Sequence, residues 1–167
     1  MVTVLVLGGT RSGKSKVAES TAAGFGTRVT YLATALVDPS DTDHAARIQA
    51  HRQRRPPTWS TIDITTPTEL IDRLHDTADT VLVDSLGTWL TLYPDLAPDS
   101  DALTAALASR AAPTVLVSEE VGMSVHPPTR IGRRYVDALG ELNRRVADVA
   151  DRVGLVVAGR WLELDRP

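Results

Sequence analysis

A run of apolar residues, Val2 to Leu7, leads directly into Gly8-Gly9-Thr10-Arg11-Ser12-Gly13-Lys14-Ser15. These eight residues complete the G-x-x-x-x-G-K-S pattern of a phosphate loop, set between a strand and a helix as its chemistry requires. The glycines let the backbone curl until successive N–H groups converge on phosphate oxygens. The positive end of the helix that starts near Gly13 adds attraction for an anion. Lys14 then reaches the β- and γ-phosphates, and the Ser15 hydroxyl can enter the shell of a Mg²⁺ ion. A strand that ends in such a loop belongs in a sheet whose strand tips face a ligand.

The rest of the chain repeats the pattern. Helical spacing predicts helices over about 14–23, 43–54, 66–78, 85–92, 101–111 and 132–152, and apolar runs predict strands at 28–33, 80–83, 114–117, 155–157 and 161–164. Continuous apolar strands separated by helices imply a mostly parallel sheet covered on both faces, an α/β doubly wound fold. Ligands of such sheets bind beyond the carboxyl ends of the strands. Gly8–Ser15, Thr34, Asp84 and Glu119–Glu120 all fall at such ends. The 167 residues fit one domain over 1–167, with no internal repeat or linker.

Asp84 closes the run Val81-Leu82-Val83, where a carboxylate near a phosphate loop holds a water of the Mg²⁺ shell. The same position also suits a helix N-cap. On a helix, His44, Arg47, Ile48 and His51 share one face, and Arg52, Arg54 and Arg55 follow. A neutral imidazole is a competent nucleophile toward an α-phosphate, and neighbouring guanidinium groups lower its pKa and stabilise the developing charge. Carboxylates are scarce between 44 and 62, so a phosphate-handling role explains the arginines better than a face of ion pairs. Of Glu119 and Glu120, at most one can face the site, because neighbours on a strand point to opposite sides. Residue type alone leaves His126, Arg133, Arg134 and Asn143 as solvated or subunit-facing.

Composition narrows the function classes. A net charge of −3 and a pI near 5.8 exclude the basic excess of a nucleic-acid binder. The absence of cysteine removes disulfides and thiolate metal sites. No apolar run approaches a membrane span, and no signal segment is visible, so a cytoplasmic location is expected. Three readings of the residues stay open: an enzyme with a covalent nucleotide intermediate, a plain phosphate-loop kinase, and a nucleotide switch. The third lacks the N-K-x-D and D-x-x-G motifs of guanine-nucleotide switches.

Several segments together resemble the bifunctional adenosylcobinamide kinase / adenosylcobinamide-phosphate guanylyltransferase family of cobalamin biosynthesis. They are G-G-T-R-S-G-K-S at 8–15, Y-L-A-T-A at 31–35, R-I-x-x-H-x-x-x-R-P-x-x-W at 47–59 and V-L-V-D at 81–84. E-V-G-M at 120–123 and G-R-R-Y-x-D-A-L-G-x-L-N at 132–143 continue the likeness. The resemblance implies a single-domain P-loop NTPase fold with a RecA-like sheet, assembled as a homotrimer. It implies phosphorylation of adenosylcobinamide by ATP or GTP, then transfer of GMP from GTP to adenosylcobinamide phosphate through a GMP-histidine at His51. Catalysis is then expected at His51 and Lys14. Nucleotide contacts are expected at Gly8, Gly9, Thr10, Arg11, Ser12, Gly13, Lys14, Ser15, at Ala33, Thr34, Ala35, and at Arg52, Gln53, Arg54, Arg55, Asp63 and Asp84. Mg²⁺ is expected at Ser15 and Asp84. Three positions depart from the family pattern: Asp63 replaces a longer Glu, Ser85 a common Cys, and Glu119 a common Asn.

Overall fold

The computed structural model describes residues 2–35 and 55–166. In chain order the elements are β1 (Thr3–Gly8), α1 (Lys14–Phe25), β2 (Val29–Ala33), β3 (Ser60–Asp63), α2 (Glu69–Asp76) and β4 (Thr80–Asp84). There follow α3 (Leu86–Leu90), α4 (Ser100–Ser109), β5 (Thr114–Glu119), α5 (Arg130–Val149), β6 (Arg152–Val157) and β7 (Arg160–Glu163). Among the described residues, seven strands form one sheet in the order β3-β2-β4-β5-β1-β6-β7. All neighbours are parallel except the β6–β7 hairpin. The fold expected from the sequence, a mostly parallel sheet with helices on both faces behind a phosphate loop, is the fold adopted.

Parallel strands need apolar residues on both faces because helices cover both. Val4 and Val6 of β1, with Val29, Tyr31, Leu82, Val115, Val117 and Val156, pack on Ala18 and Ala22 of α1. The intervening residues Leu5, Leu7, Leu32, Val81, Val83 and Leu116 face the other side, toward Leu74, Trp89, Leu103, Leu139 and Val146 of α2–α5. Each such leucine removed from water contributes roughly 1.5–3 kcal/mol. Small alanines on α1 let that helix lie close to the sheet, which brings its N-terminus to the strand tips.

The sequence reading missed one strand. β3 reads Ser-Thr-Ile-Asp, mostly exposed at the sheet edge, so only Ile62 carries a burial signal. Its pairing is supplied by β2, with Ala33 opposite Asp63. The last helix spans 130–149 rather than 132–152, because Arg152 already pairs into β6. The helix expected over 43–54 lies outside the described residues. No helix among the described residues is long and apolar enough to cross a membrane.

Candidate functional site

The loop at 8–15 begins where β1 ends and closes as α1 begins. Gly13 takes the left-handed conformation, with φ of 94°, at the N-cap of α1. A side chain there would be strained, and its Cβ would stand 3.2 Å from the Cα of Gly159. Backbone ties fix the loop from both sides: Ser12 N donates to Gly9 O at 3.2 Å, and Gly159 N donates to Ser12 O at 2.7 Å. On the other flank Glu120 N donates to Gly8 O at 3.1 Å.

The start of α1 carries no side-chain cap and no acidic residue in its first turn. It carries Lys14 and Lys16 instead. Cations at the positive end of a helix oppose helix stability. The arrangement makes physical sense around a bound anion.

Two carboxylates stand at neighbouring strand tips. Glu119 ends β5, which lies between the loop strand β1 and the Asp84 strand β4. Its Oε1 is 3.6 Å from Lys14 Nζ, with side-chain exposures of 28% and 13%. The Ser85 hydroxyl lies 3.1 and 3.0 Å from the two Glu119 carboxylate oxygens. Gly87 leaves the room: a Cβ there would collide with the Glu119 carboxylate and stand 2.7 Å from the Tyr135 hydroxyl. Burial, and next the Glu119 charge, push the Tyr135 hydroxyl up to about 12. Asn143 Nδ2 donates to the Glu119 carbonyl at 3.0 Å, while its Oδ1 accepts from Ser118 at 2.6 Å.

Asp84 is held differently. Its Oδ2 accepts from the Tyr31 hydroxyl at 2.6 Å. Burial raises Tyr31 far above the ordinary phenol range, and the Asp84 charge adds to the shift. Arg55 lies over the Tyr31 ring, 3.2 Å from its centroid, and donates to Thr61 Oγ1 at 2.9 Å. The N-cap role open to Asp84 falls to Ser85, whose side chain accepts from Thr88 N while Thr88 Oγ1 accepts from Ser85 N.

The structure thus gathers Gly8 to Ser15, Thr34, Asp84 and Glu119 at one end of the sheet, as the sequence reading expects. Thr34 is fully buried, and its hydroxyl bonds the Ser85 backbone N–H at 2.8 Å and carbonyl at 2.6 Å. That hydroxyl joins β2 to β4. Ala33 and Ala35 flank it, and Asp63 is exposed at the tip of β3. Glu119 rather than Glu120 faces Lys14; Glu120 Oε1 instead accepts from Gly122 N at 2.6 Å. Asn143 is corrected from solvated to buried. Its apolar neighbours on α5 place it on the core face, a signal the helical spacing contained. His51, Arg52, Gln53 and Arg54 lie outside the described residues. Tyr31, Ser85, Gly87 and Tyr135 were missed as supports of the site. Tyr31 had one signal, an aromatic with a polar tip at an inward strand position.

Among the described residues no cluster of three His, Asp or Glu side chains forms a metal cage. Mg²⁺ is usually held by one or two carboxylates together with substrate phosphates, so the Ser15 and Asp84 oxygens suit it as a donor set.

The sequence model described as cobinamide kinase / cobinamide phosphate guanyltransferase matches residues 4–164. The bifunctional adenosylcobalamin biosynthesis protein CobP of Pseudomonas aeruginosa is 40% identical over 164 residues, 93% of this chain and 92% of its own length. The bifunctional adenosylcobalamin biosynthesis proteins CobU of Escherichia coli and Salmonella typhimurium are 36% and 35% identical, each over 93% of this chain and 96% of theirs. Among solved structures, the P4 protein of bacteriophage phi6 in complex with ADP aligns with a TM-score of 0.48 and 14% identity. That alignment covers 96% of this chain and 52% of the other. With its phosphate loop inside a match that spans 4–164, the chain belongs to the cobinamide kinase / cobinamide phosphate guanyltransferase family.

Proposed function

We infer that this chain is a bifunctional transferase of cobalamin biosynthesis. It phosphorylates adenosylcobinamide with ATP or GTP and then joins GMP from GTP to the new phosphate. Family membership supports the reaction class. The observation that carries it at the level of residues is the uncapped, lysine-bearing start of α1 beside the tips of β4 and β5.

In the first reaction the loop N–H groups and Lys14 hold the triphosphate, so positioning and charge stabilisation supply most of the catalysis. Ser15 and Asp84 would hold Mg²⁺, which spreads the charge of the transferring phosphoryl group when bound. In the second reaction the His51 imidazole attacks the α-phosphorus of GTP and pyrophosphate leaves with the bonding pair. The phosphate of the corrinoid then displaces the imidazole and takes the GMP. Splitting the transfer lets each substrate meet an activated centre in turn. The arginines at 52, 54 and 55, with Gln53, form part of the guanine-nucleotide contact in this reading. So do Ala33, Ala35 and Asp63, whereas the fully buried Thr34 supports them through its bonds to the Ser85 backbone. A homotrimer is part of the same proposal.

Incubation with α-labelled GTP tests it. Wild-type protein is expected to acquire acid-labile label and to pass it to adenosylcobinamide phosphate. His51→Ala loses the label and keeps phosphoryl transfer, whereas Lys14→Ala loses about 100-fold or more in both reactions, because each needs the triphosphate held. Label retained on the His51 variant would reassign the nucleophile. Phosphoryl transfer without any covalent nucleotide would leave a monofunctional kinase.

A further inference from the structure

A cleft of about 430 Å³ opens beside the phosphate loop. That size lies in the range of small-molecule sites, roughly 300–1,000 Å³. One wall is Gly9 and Thr10 of the loop, and Glu119, the partner of Lys14, lines the cleft as well. The rest of the lining is mostly apolar, Val121 and Met123 after β5 with Leu155, Val156 and Val157 on β6, and Glu120 and Ser124 add polar groups to it. Met123 is 72% exposed and Val157 58%, and Leu162, paired across from Leu155, continues the apolar rim. Nothing else among the described residues covers these side chains.

We propose that this cleft receives the acceptor of the phosphoryl-transfer reaction, a bulky molecule with apolar faces and an arm ending in a hydroxyl. The arm enters between Thr10 and Met123, and the macrocycle rests on the exposed rim of Met123, Val157 and Leu162. The proposal rests on the kinase reading above and adds the place where the second substrate binds.

The geometry around Glu119 argues for a hydroxyl there. Lys14 Nζ is 3.6 Å from the Glu119 carboxylate. A lysine holds a phosphate oxygen at about 2.8 Å, so a phosphate on Lys14 has an oxygen within about 6 Å of Glu119. A hydroxyl that donates to the carboxylate at about 2.7 Å and approaches phosphorus at about 3–3.5 Å spans the same distance. The Ser85 hydroxyl holds both carboxylate oxygens, the missing side chain of Gly87 leaves them room, and Glu119 is itself part of the cleft lining. As the acceptor oxygen bonds to the terminal phosphorus, the bond from that phosphorus to the bridging oxygen breaks. The electron pair leaves on the nucleoside diphosphate, and the hydroxyl proton passes to Glu119. The acceptor of the second reaction is already a phosphate anion and needs no such group.

Met123→Asp and Val157→Asp test the proposal, since both side chains are largely exposed and the fold tolerates the change. Steady-state phosphorylation of adenosylcobinamide is measured together with nucleotide affinity by calorimetry and mass by light scattering. The Michaelis constant for the acceptor is expected to rise tenfold or more, with nucleotide affinity within twofold of wild type. Phe25→Asp, an equally apolar surface change at the far end of α1, should leave the acceptor constant unmoved. An acceptor constant within twofold of wild type in both cleft variants overturns the proposal. So does a change of oligomeric state with the acceptor constant unmoved, which would make the face a contact between copies. Wild-type protein that binds nucleotide yet phosphorylates no corrinoid overturns the kinase reading and the cleft with it; active wild type with unaffected variants overturns the cleft alone.

Discussion

Glu119 is the residue on which most of the site's contacts converge. Its carboxylate is the internal partner of Lys14, so a triphosphate has to draw the lysine away from it. Glu119→Gln should therefore bind nucleotide about three- to tenfold more tightly while its phosphoryl-transfer kcat falls, a split that simple damage to the fold would not produce. Calorimetry and initial rates read the two halves. The same substitution reports through Tyr135. A phenol raised to about 12 from the ordinary 10.0 favours the neutral form in the folded protein. Its contribution to stability is complete below pH 10 and is lost as pH climbs toward 12. Removing the Glu119 charge should lower that titration, though not to 10, because burial is the larger cause; ultraviolet or NMR titration of the tyrosines checks the shift.

Elements, more than single residues, decide where the loop sits. The turn between β6 and β7 has positive φ at both central residues, 49° at Ala158 and 74° at Gly159, which matches the twist of a two-residue hairpin. Its Gly159 N–H holds the Ser12 carbonyl. Gly159→Val forces a β-branched residue into the left-handed region, at a cost of about 1–2 kcal/mol, and should weaken nucleotide binding as well as lower the melting temperature. Binding and melting measured on one preparation would separate the two effects. Element type was legible in the sequence wherever the pattern was strong: β1, β2, β4 and β5 each carry a buried, largely apolar run, and α5 carries a clear amphipathic stripe. β3 was not, because an edge strand with exposed polar residues has no alternation to read. Nor was the cradle of Glu119. Ser85 and Gly87 open α3 while Tyr135 sits on α5, and only the packing of these two helices beside the tip of β5 brings them together.

Over the whole molecule, the sheet is steadied at the end opposite the site by a buried cation. Arg110 donates from Nε to Thr114 Oγ1 at 2.9 Å, from NH1 to the carbonyls of Leu74 and Thr77, and from NH2 to that of Asp79 at 2.9 Å. It ties the end of α2 and the approach to β4 to the start of β5. Burial lowers its pKa, yet a guanidinium stays charged there. Arg110→Ala leaves several buried carbonyls unsatisfied and should cost about 2–4 kcal/mol in chemical denaturation, with nucleotide affinity of the remaining folded protein preserved. The opposite end is built on another principle. There the first turn of α1 gathers two lysines at the positive end of its own dipole, and the Lys14 amide turns back to the Ser12 hydroxyl at 3.3 Å. A polyanion held in the loop sets its charge against both lysines and that dipole, so ligand binding and the stability of this end of the sheet are coupled.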